Sequence, residues 1–380
     1  MSARRLRVGL FTAFGGLGVT AAFVPAVLPS AEHATDADLS AAVPVLFAGL
    51  LVGVLLSGPL LVRRPPRTTL VLGSLLQAAA IVGVALATDP GVFLAAAALA
   101  GLGFGLVEAA GSVAAKAASA ASTTGMLSAL MGTVAVCAAV TPLVVALGAG
   151  ARPALTLLAT VPLATAAVLA GATTLARLAE APARRDARSL LVLLPFALAL
   201  PLYVGVETVL SGWSAVIPER ALVIEPATAA LGTSAFWALM AVGRFGAAAL
   251  RRAAVPPLAL LATATGAAAV LLVLAGVLLG DQPVAALIIL AVVVVLLAPS
   301  YGLILGLALD RLDPARSAAV TGALVACGAV GGTFAPTLVL LIGRDPASSV
   351  TFLVSAVLCA VIPVLMLVAS RSGRAVPALR

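Results

Sequence analysis

The stretch ARLAEAPARRDARS, residues 176–189, is polar and carries Arg177, Arg184, Arg185 and Arg188, in a chain of 380 residues of which only 9% are charged. What flanks it decides the fold. Six apolar runs precede it, near 8–30, 41–62, 68–88, 91–114, 123–148 and 153–176, and six follow, near 190–216, 227–250, 256–279, 283–308, 318–342 and 348–369. A membrane-crossing helix needs about 20 apolar residues, so each run is long enough to span. The sequence therefore predicts an all-α membrane protein of twelve transmembrane helices.

Composition agrees. Hydrophobic residues make up 63% of the chain, whereas a soluble domain keeps about 25% charged residues to wet its surface. The formal charge of +8 does not point to nucleic acid, because the basic residues fall in pairs and triplets between apolar runs and form no stripe. They act as topology signals. Of 22 Lys and Arg, only Arg152, Arg220 and Arg344 fall on one side of the twelve-span arrangement, Arg244 lies within a span, and the rest lie on the other side. By the positive-inside bias, that other side, with both termini and the central stretch, is the cytoplasm of a bacterial-type plasma (inner) membrane. Glu32, Asp36, Asp38, Asp89, Glu219, Glu225, Asp281 and Asp345 fall on the external side. The opening MSARRLR followed by an apolar run has the outline of a signal peptide, but the run continues to about Leu28 and is read as an uncleaved first helix.

The two halves repeat. Gly58-Pro-Leu-Leu-Val-Arg63-Arg64 closes the second span and Gly246-Ala-Ala-Ala-Leu-Arg251-Arg252 the eighth, an offset of 188; Ala26-Val-Leu-Pro29 and Ala215-Val-Ile-Pro218 match at an offset of 189. These matches predict two parallel, pseudo-symmetric six-helix halves, residues 1–176 and 190–380, joined by a cytoplasmic linker at 177–189. A solute site near the bilayer midplane is expected of such a repeat.

Charged residues inside a membrane are costly and are functional by default. Glu108 in the fourth span and Glu207 in the seventh are the acids that lie well inside spans. Both are candidates for proton coupling, since burial raises a carboxyl pKa toward neutrality; the alternative is a protonated acid that only fixes helix packing. By depth, Glu108 falls toward the cytoplasmic half and Glu207 toward the external half, so no direct pair is expected. Glu108 sits among Gly101, Gly103, Gly105 and Gly111, read as close-packing positions. Arg244 lies about 10 Å deeper than Arg251 and Arg252, and snorkelling to the interface is preferred over substrate contact; Lys116 is read likewise. Candidate cavity residues are Tyr203, Trp213, Trp237, Gln77 and Tyr301. Gly58, Arg63 and Arg67, between the second and third spans, are candidates for conformational gating with Arg244.

Other chemistry is thinly represented. Cys137, Cys327 and Cys359 lie in apolar runs and His33 in a polar loop, so neither a disulfide, a metal site nor a cofactor is expected. No span offers a nucleophile with its base or a phosphate-binding loop, so the chain is not read as an enzyme. Asn is absent and Gln occurs only at 77 and 282, which is sparse for recognising a polyhydroxylated solute.

The motifs GLGFGLVEAAG (101–111), YVGVETVLSGW (203–213) and SAFWALMAVGR (234–244) resemble the fucose permease branch of the major facilitator superfamily. The resemblance covers the twelve spans in outline, though its specific motifs cover about a tenth of the chain. It implies a carrier in which the fourth-span glutamate, matching Glu108, takes part in proton coupling and substrate binding, and it makes Glu207, Trp213 and Trp237 recurrent features. The chain departs from the branch in three places. GLGVTAAFVPAVLP (16–29) lacks the first-span acid, Gly111 and Ser112 replace an Asn-Pro, and Val62 stands where the cytoplasmic signature has Asp.

Two transport readings stay level: symport of a sugar or metabolite with protons, and export of a drug or amphipathic metabolite against protons. Either way the expected partners are a small-molecule substrate, protons and the lipid bilayer, and the expected state is a monomer. A receptor or assembly partner that keeps the carrier fold without transporting is the alternative.

Overall fold

The computed structural model describes residues 2–118, 123–148, 152–171, 187–252, 255–311 and 314–372. The central polar stretch up to residue 186, the Lys116 side chain and the tail from 373 lie outside the described residues. Every regular element among the described residues is helical: α1 (Ser2–Thr35), α2 (Ala42–Arg63), α3 (Pro66–Leu86), α4 (Pro90–Ala118), α5 (Thr123–Gly148), a 3-10 helix (Arg152–Ala159) running into α6 (Thr160–Ala170), α7 (Ala187–Gly212), α8 (Val216–Leu222), α9 (Pro226–Ala229), α10 (Leu231–Arg252), α11 (Pro257–Leu278), α12 (Pro283–Leu297), α13 (Ser300–Leu309), α14 (Pro314–Gly343) and α15 (Ser349–Ser372). Among the described residues twelve stretches are long and apolar enough to cross a membrane. The chain is a multi-pass membrane protein.

Proline marks the starts of α3, α9, α11 and α12, where its missing N–H is no loss. Pro25 and Pro29 of α1 and Pro195 and Pro201 of α7 lie inside helices, as membrane helices tolerate when neighbours re-satisfy the backbone. The first helix is longer than the sequence predicts. It passes both prolines and ends at Thr35, closing with Asp36 in the left-handed region at φ 49° and the Ala37 N–H on the Glu32 carbonyl at 3.4 Å. His33, read as a loop residue, is therefore helical. The tenth span breaks in two, because Pro299 separates α12 from α13.

The chain divides into two compact units, Met1–Ala181 with Ser211–Ala238, and Pro182–Leu210 with Leu239–Arg380. In the first unit Leu10, Phe14 and Leu17 of α1 are buried with Leu70, Val107, Leu130 and Leu169 of α3, α4, α5 and α6. In lipid, apolar burial supplies little drive between helices, and close backbone approach takes its place. Gly49 and Gly53 of α2 face the Ala98 and Leu102 carbonyls of α4, while Gly101 and Gly105 face the Leu46 and Leu50 carbonyls of α2; a Cβ at any of the four would collide with them. Packing is thus what these glycines do. In the second unit α11 packs on α12 and α15, and Val270, Val277 and Val357 are left outward-facing, as a lipid-exposed surface requires.

Candidate functional site

In the second unit α7 brings a polar group into the helix interior. Pro201 cannot donate to the carbonyl one turn earlier, and its own carbonyl lies against Gly331 of α14, where any side chain would collide. Gly205 meets Ala335 and the Gly331 carbonyl in the same seam. The seam seats this turn of α7, and Tyr203 and Glu207 follow one turn apart.

Across from them α10 carries Arg244. Gly243 next to it lies against the Val295 carbonyl and Ala298, which draws α10 onto the end of α12. Arg244 Nε donates to the Ala298 carbonyl at 3.4 Å, at the break made by Pro299. Its Nη2 stands 3.7 Å from Glu207 Oε1, an ion pair with side-chain exposures of 41% for Arg244 and 20% for Glu207. At that distance the attraction is coulombic, beyond hydrogen-bond length. Tyr203 is fully buried, and its hydroxyl has no hydrogen-bond partner among the described residues. Tyr301 of α13 faces it with ring centroids 6.5 Å apart at 44°, and the neighbouring Ser300 hydroxyl is buried without a partner among the described residues.

Four residues chosen from the sequence, Tyr203, Glu207, Arg244 and Tyr301, therefore come together. Arg244, read from the sequence as snorkelling, has a carboxylate and a backbone carbonyl within its reach. A signal for the pair was in the sequence: they are the acid and the base that fall inside consecutive spans, and an uncompensated charge there is expensive.

The first unit holds the other candidates. Glu108 is half-buried on α4, and its carbonyl accepts the Ser112 hydroxyl at 2.9 Å. Gln77 is fully buried, enclosed by Gly16 of α1 and Gly103 of α4, with both amide atoms unpartnered among the described residues. Trp213 is likewise fully buried and donates its indole N–H to the Ser40 carbonyl at 3.2 Å, so it anchors the chain after α7. Trp237 is half-buried, edge-on to Phe236 at 5.6 Å, and its indole N–H has no partner among the described residues. Gly58 is open on all sides, Arg63 is exposed, and Arg67 Nη1 reaches the Ala170 carbonyl at 3.5 Å.

One cluster was not visible in the sequence. Arg220 of α8 donates to both Glu32 carboxylate oxygens, at 3.0 and 2.9 Å, and to Ser40 Oγ at 3.3 Å, with Asp38 at 3.6 Å. His33 Nε2 is 2.9 Å from Glu219 Oε1. Residues 188 positions apart offer no local pattern to join them, so these acids read only as topology signals. Asp38 is desolvated by burial, but its hydrogen bonds with Ser40 and the charge of Arg220 outweigh this and hold its carboxyl below the ordinary range. Among the described residues no group of three His, Cys, Asp or Glu is placed to hold a metal ion.

A family model described as Major Facilitator Superfamily matches residues 8–336. Among solved structures, a POT family transporter in complex with a thioalcohol-conjugated peptide superposes with a TM-score of 0.78 at 15% identity, over 97% of this chain and 96% of that one. A D-xylose-proton symporter gives 0.74 at 16% identity, over 95% and 96%. The E. coli fucose:proton symporter gives 0.64 at 15% identity, over 97% and 99%. At such identities the likeness is one of fold. A search of curated protein sequences finds no match.

Proposed function

The chain belongs to the Major Facilitator Superfamily of membrane transporters, and on that premise we propose that it carries a small organic solute across the membrane by alternating access, coupled to protons. The observation that carries the reading is the Glu207–Arg244 ion pair, 3.7 Å apart and part-exposed, inside an otherwise apolar helix bundle. A carboxylate so placed exchanges its proton with whichever side has water access, and the adjoining guanidinium reports its charge state to the surroundings. Glu108, half-buried on the fourth span, is the second proton-carrying candidate. Tyr301, with the buried Tyr203 behind it, is the solute-contact candidate beside the pair, and Trp237 is a separate candidate of the first unit.

The pair favours symport over antiport. A cationic amphipath exchanging for a proton needs an acid free to receive it, whereas Glu207 already has a cation beside it. Neighbours of the same fold include symporters named for D-xylose and fucose, which supports the same direction. The working parts are the six-helix halves 1–176 and 190–380 joined at 177–189, and Gly58, Arg63 and Arg67 belong to the gating between conformations. The distribution of Arg and Lys supports a plasma-membrane protein with cytoplasmic termini, acting as a monomer.

Solute counterflow in proteoliposomes tests the reading. A carrier exchanges labelled for unlabelled solute without an imposed gradient; a receptor that keeps only the fold shows no exchange.

A further inference from the structure

This inference rests on the carrier reading and narrows what is carried. We propose that Arg244 is a carboxylate-binding residue and that the cargo is a small organic anion, one carboxylate of which takes the place of Glu207 on Arg244, while Glu207 carries the co-transported proton.

The geometry supplies the first part of the argument. A guanidinium has five N–H donors, and among the described residues Arg244 uses Nε on the Ala298 carbonyl and turns Nη2 toward Glu207 beyond hydrogen-bond length. The Nη1 end has no partner there. With Nε tied back to the α12–α13 break, the guanidinium presents its terminal nitrogens as a fixed fork, the shape that takes a carboxylate in bidentate fashion. The side chain is 41% exposed, so an incoming group can reach it. Part-exposed Tyr301 stands 6.5 Å from Tyr203 and offers an apolar face for the body of the cargo, with the buried Tyr203 and Ser300 hydroxyls behind it.

Charge supplies the second part. The Glu207–Arg244 pair is one anion and one cation and is neutral. With a proton on Glu207 and a monoanion on Arg244 it is neutral again. A proton alone leaves the guanidinium uncompensated, an anion alone leaves two negative charges around one positive, and both are disfavoured in a medium of low dielectric. A neutral solute arriving with a proton meets the first difficulty, and a cationic one worsens it. Of the solutes that arrive with a proton, only an anion keeps the site balanced, so the two move together without net charge. Among the described residues the titratable groups that face Glu207 are Tyr203 on its own helix and Arg244 on α10; behind Tyr203 stand Tyr301 of α13 and Cys359 of α15. None supplies a second cation to relax this requirement.

The test uses full-length protein in liposomes, an inward proton gradient, and three size-matched hexoses: glucuronate, glucose and glucosamine. Quinate, shikimate and pyroglutamate extend the carboxylates. The expected result is uptake of a carboxylate that is driven by the pH gradient and unchanged when valinomycin and potassium set the membrane potential. Arg244→Gln is expected to lose about 30-fold or more of that uptake, and Arg244→Lys to recover part of it. Glu207→Gln is expected to abolish pH-driven accumulation while carboxylate-for-carboxylate exchange continues, a split that mere misfolding would not give. The double variant Glu207→Gln with Arg244→Gln, which leaves no lone charge, is expected to fold and to move no anion. Glucose or glucosamine taken up with a current, and equally well by Arg244→Gln, would overturn the anion proposal and leave the carrier reading standing. Absence of uptake and of counterflow for every solute would overturn both.

Discussion

Removing one partner of the Glu207–Arg244 pair strands the other charge in the membrane interior, and this sets what substitutions there do to stability. A fully buried pair broken from one side costs about 3–5 kcal/mol; with 41% and 20% of the side chains exposed, water screens the survivor and about 1–2 kcal/mol is expected for Arg244→Gln. Thermal unfolding in detergent should show the double neutral variant to be more stable than either single one. Asp38 obeys a different rule. Its carboxyl titrates below the ordinary aspartate value of 3.8 because its bonds with Ser40 and the charge of Arg220 outweigh desolvation. A group depressed in the folded state contributes stability that is fully present above the unfolded value and is lost as pH falls through the folded one. Asp38→Asn should therefore lower the melting temperature at neutral pH and leave it nearly unchanged at acid pH, so that the melting curves of variant and wild type converge on acidification.

Helix α4 is held to α2 by small residues rather than by apolar area, and this makes the pair of helices brittle. Gly101→Ala sets a methyl group against the Leu46 carbonyl, where no flexible side chain can yield. Overpacking of this kind costs about 1–3 kcal/mol, and a matched change at Gly58, which meets nothing, should leave the melting temperature within error. The helices themselves were legible because span length and hydropathy are properties of each segment alone: the predicted run 283–308 coincides with the span Pro283–Ala308. Less legible were the extra turn of α1 through His33, which depends on what the chain does after Thr35, and the break at Pro299, which an unbroken apolar run conceals.

A single sequence assigns each membrane residue a depth but no direction around its helix, and this decides how much of the site could be read. Glu207, Arg244, Tyr203 and Tyr301 were selectable by residue type and span, while their convergence, and that of Glu32 with Arg220, needed the folded chain. The basic bias likewise predicts orientation: a cysteine introduced at Ser372 should resist a membrane-impermeant maleimide in intact cells and react after permeabilisation, whereas one at Asp36 should react in both. The central claim is proton-coupled carriage through Glu207, and internal pH is its most direct readout. With a carboxylate solute added outside liposomes containing a pH-sensitive dye, wild type should acidify the lumen as solute enters, and Glu207→Gln should not. Solute entry at wild-type rate with no change in luminal pH, or the same acidification in the variant, would contradict the account.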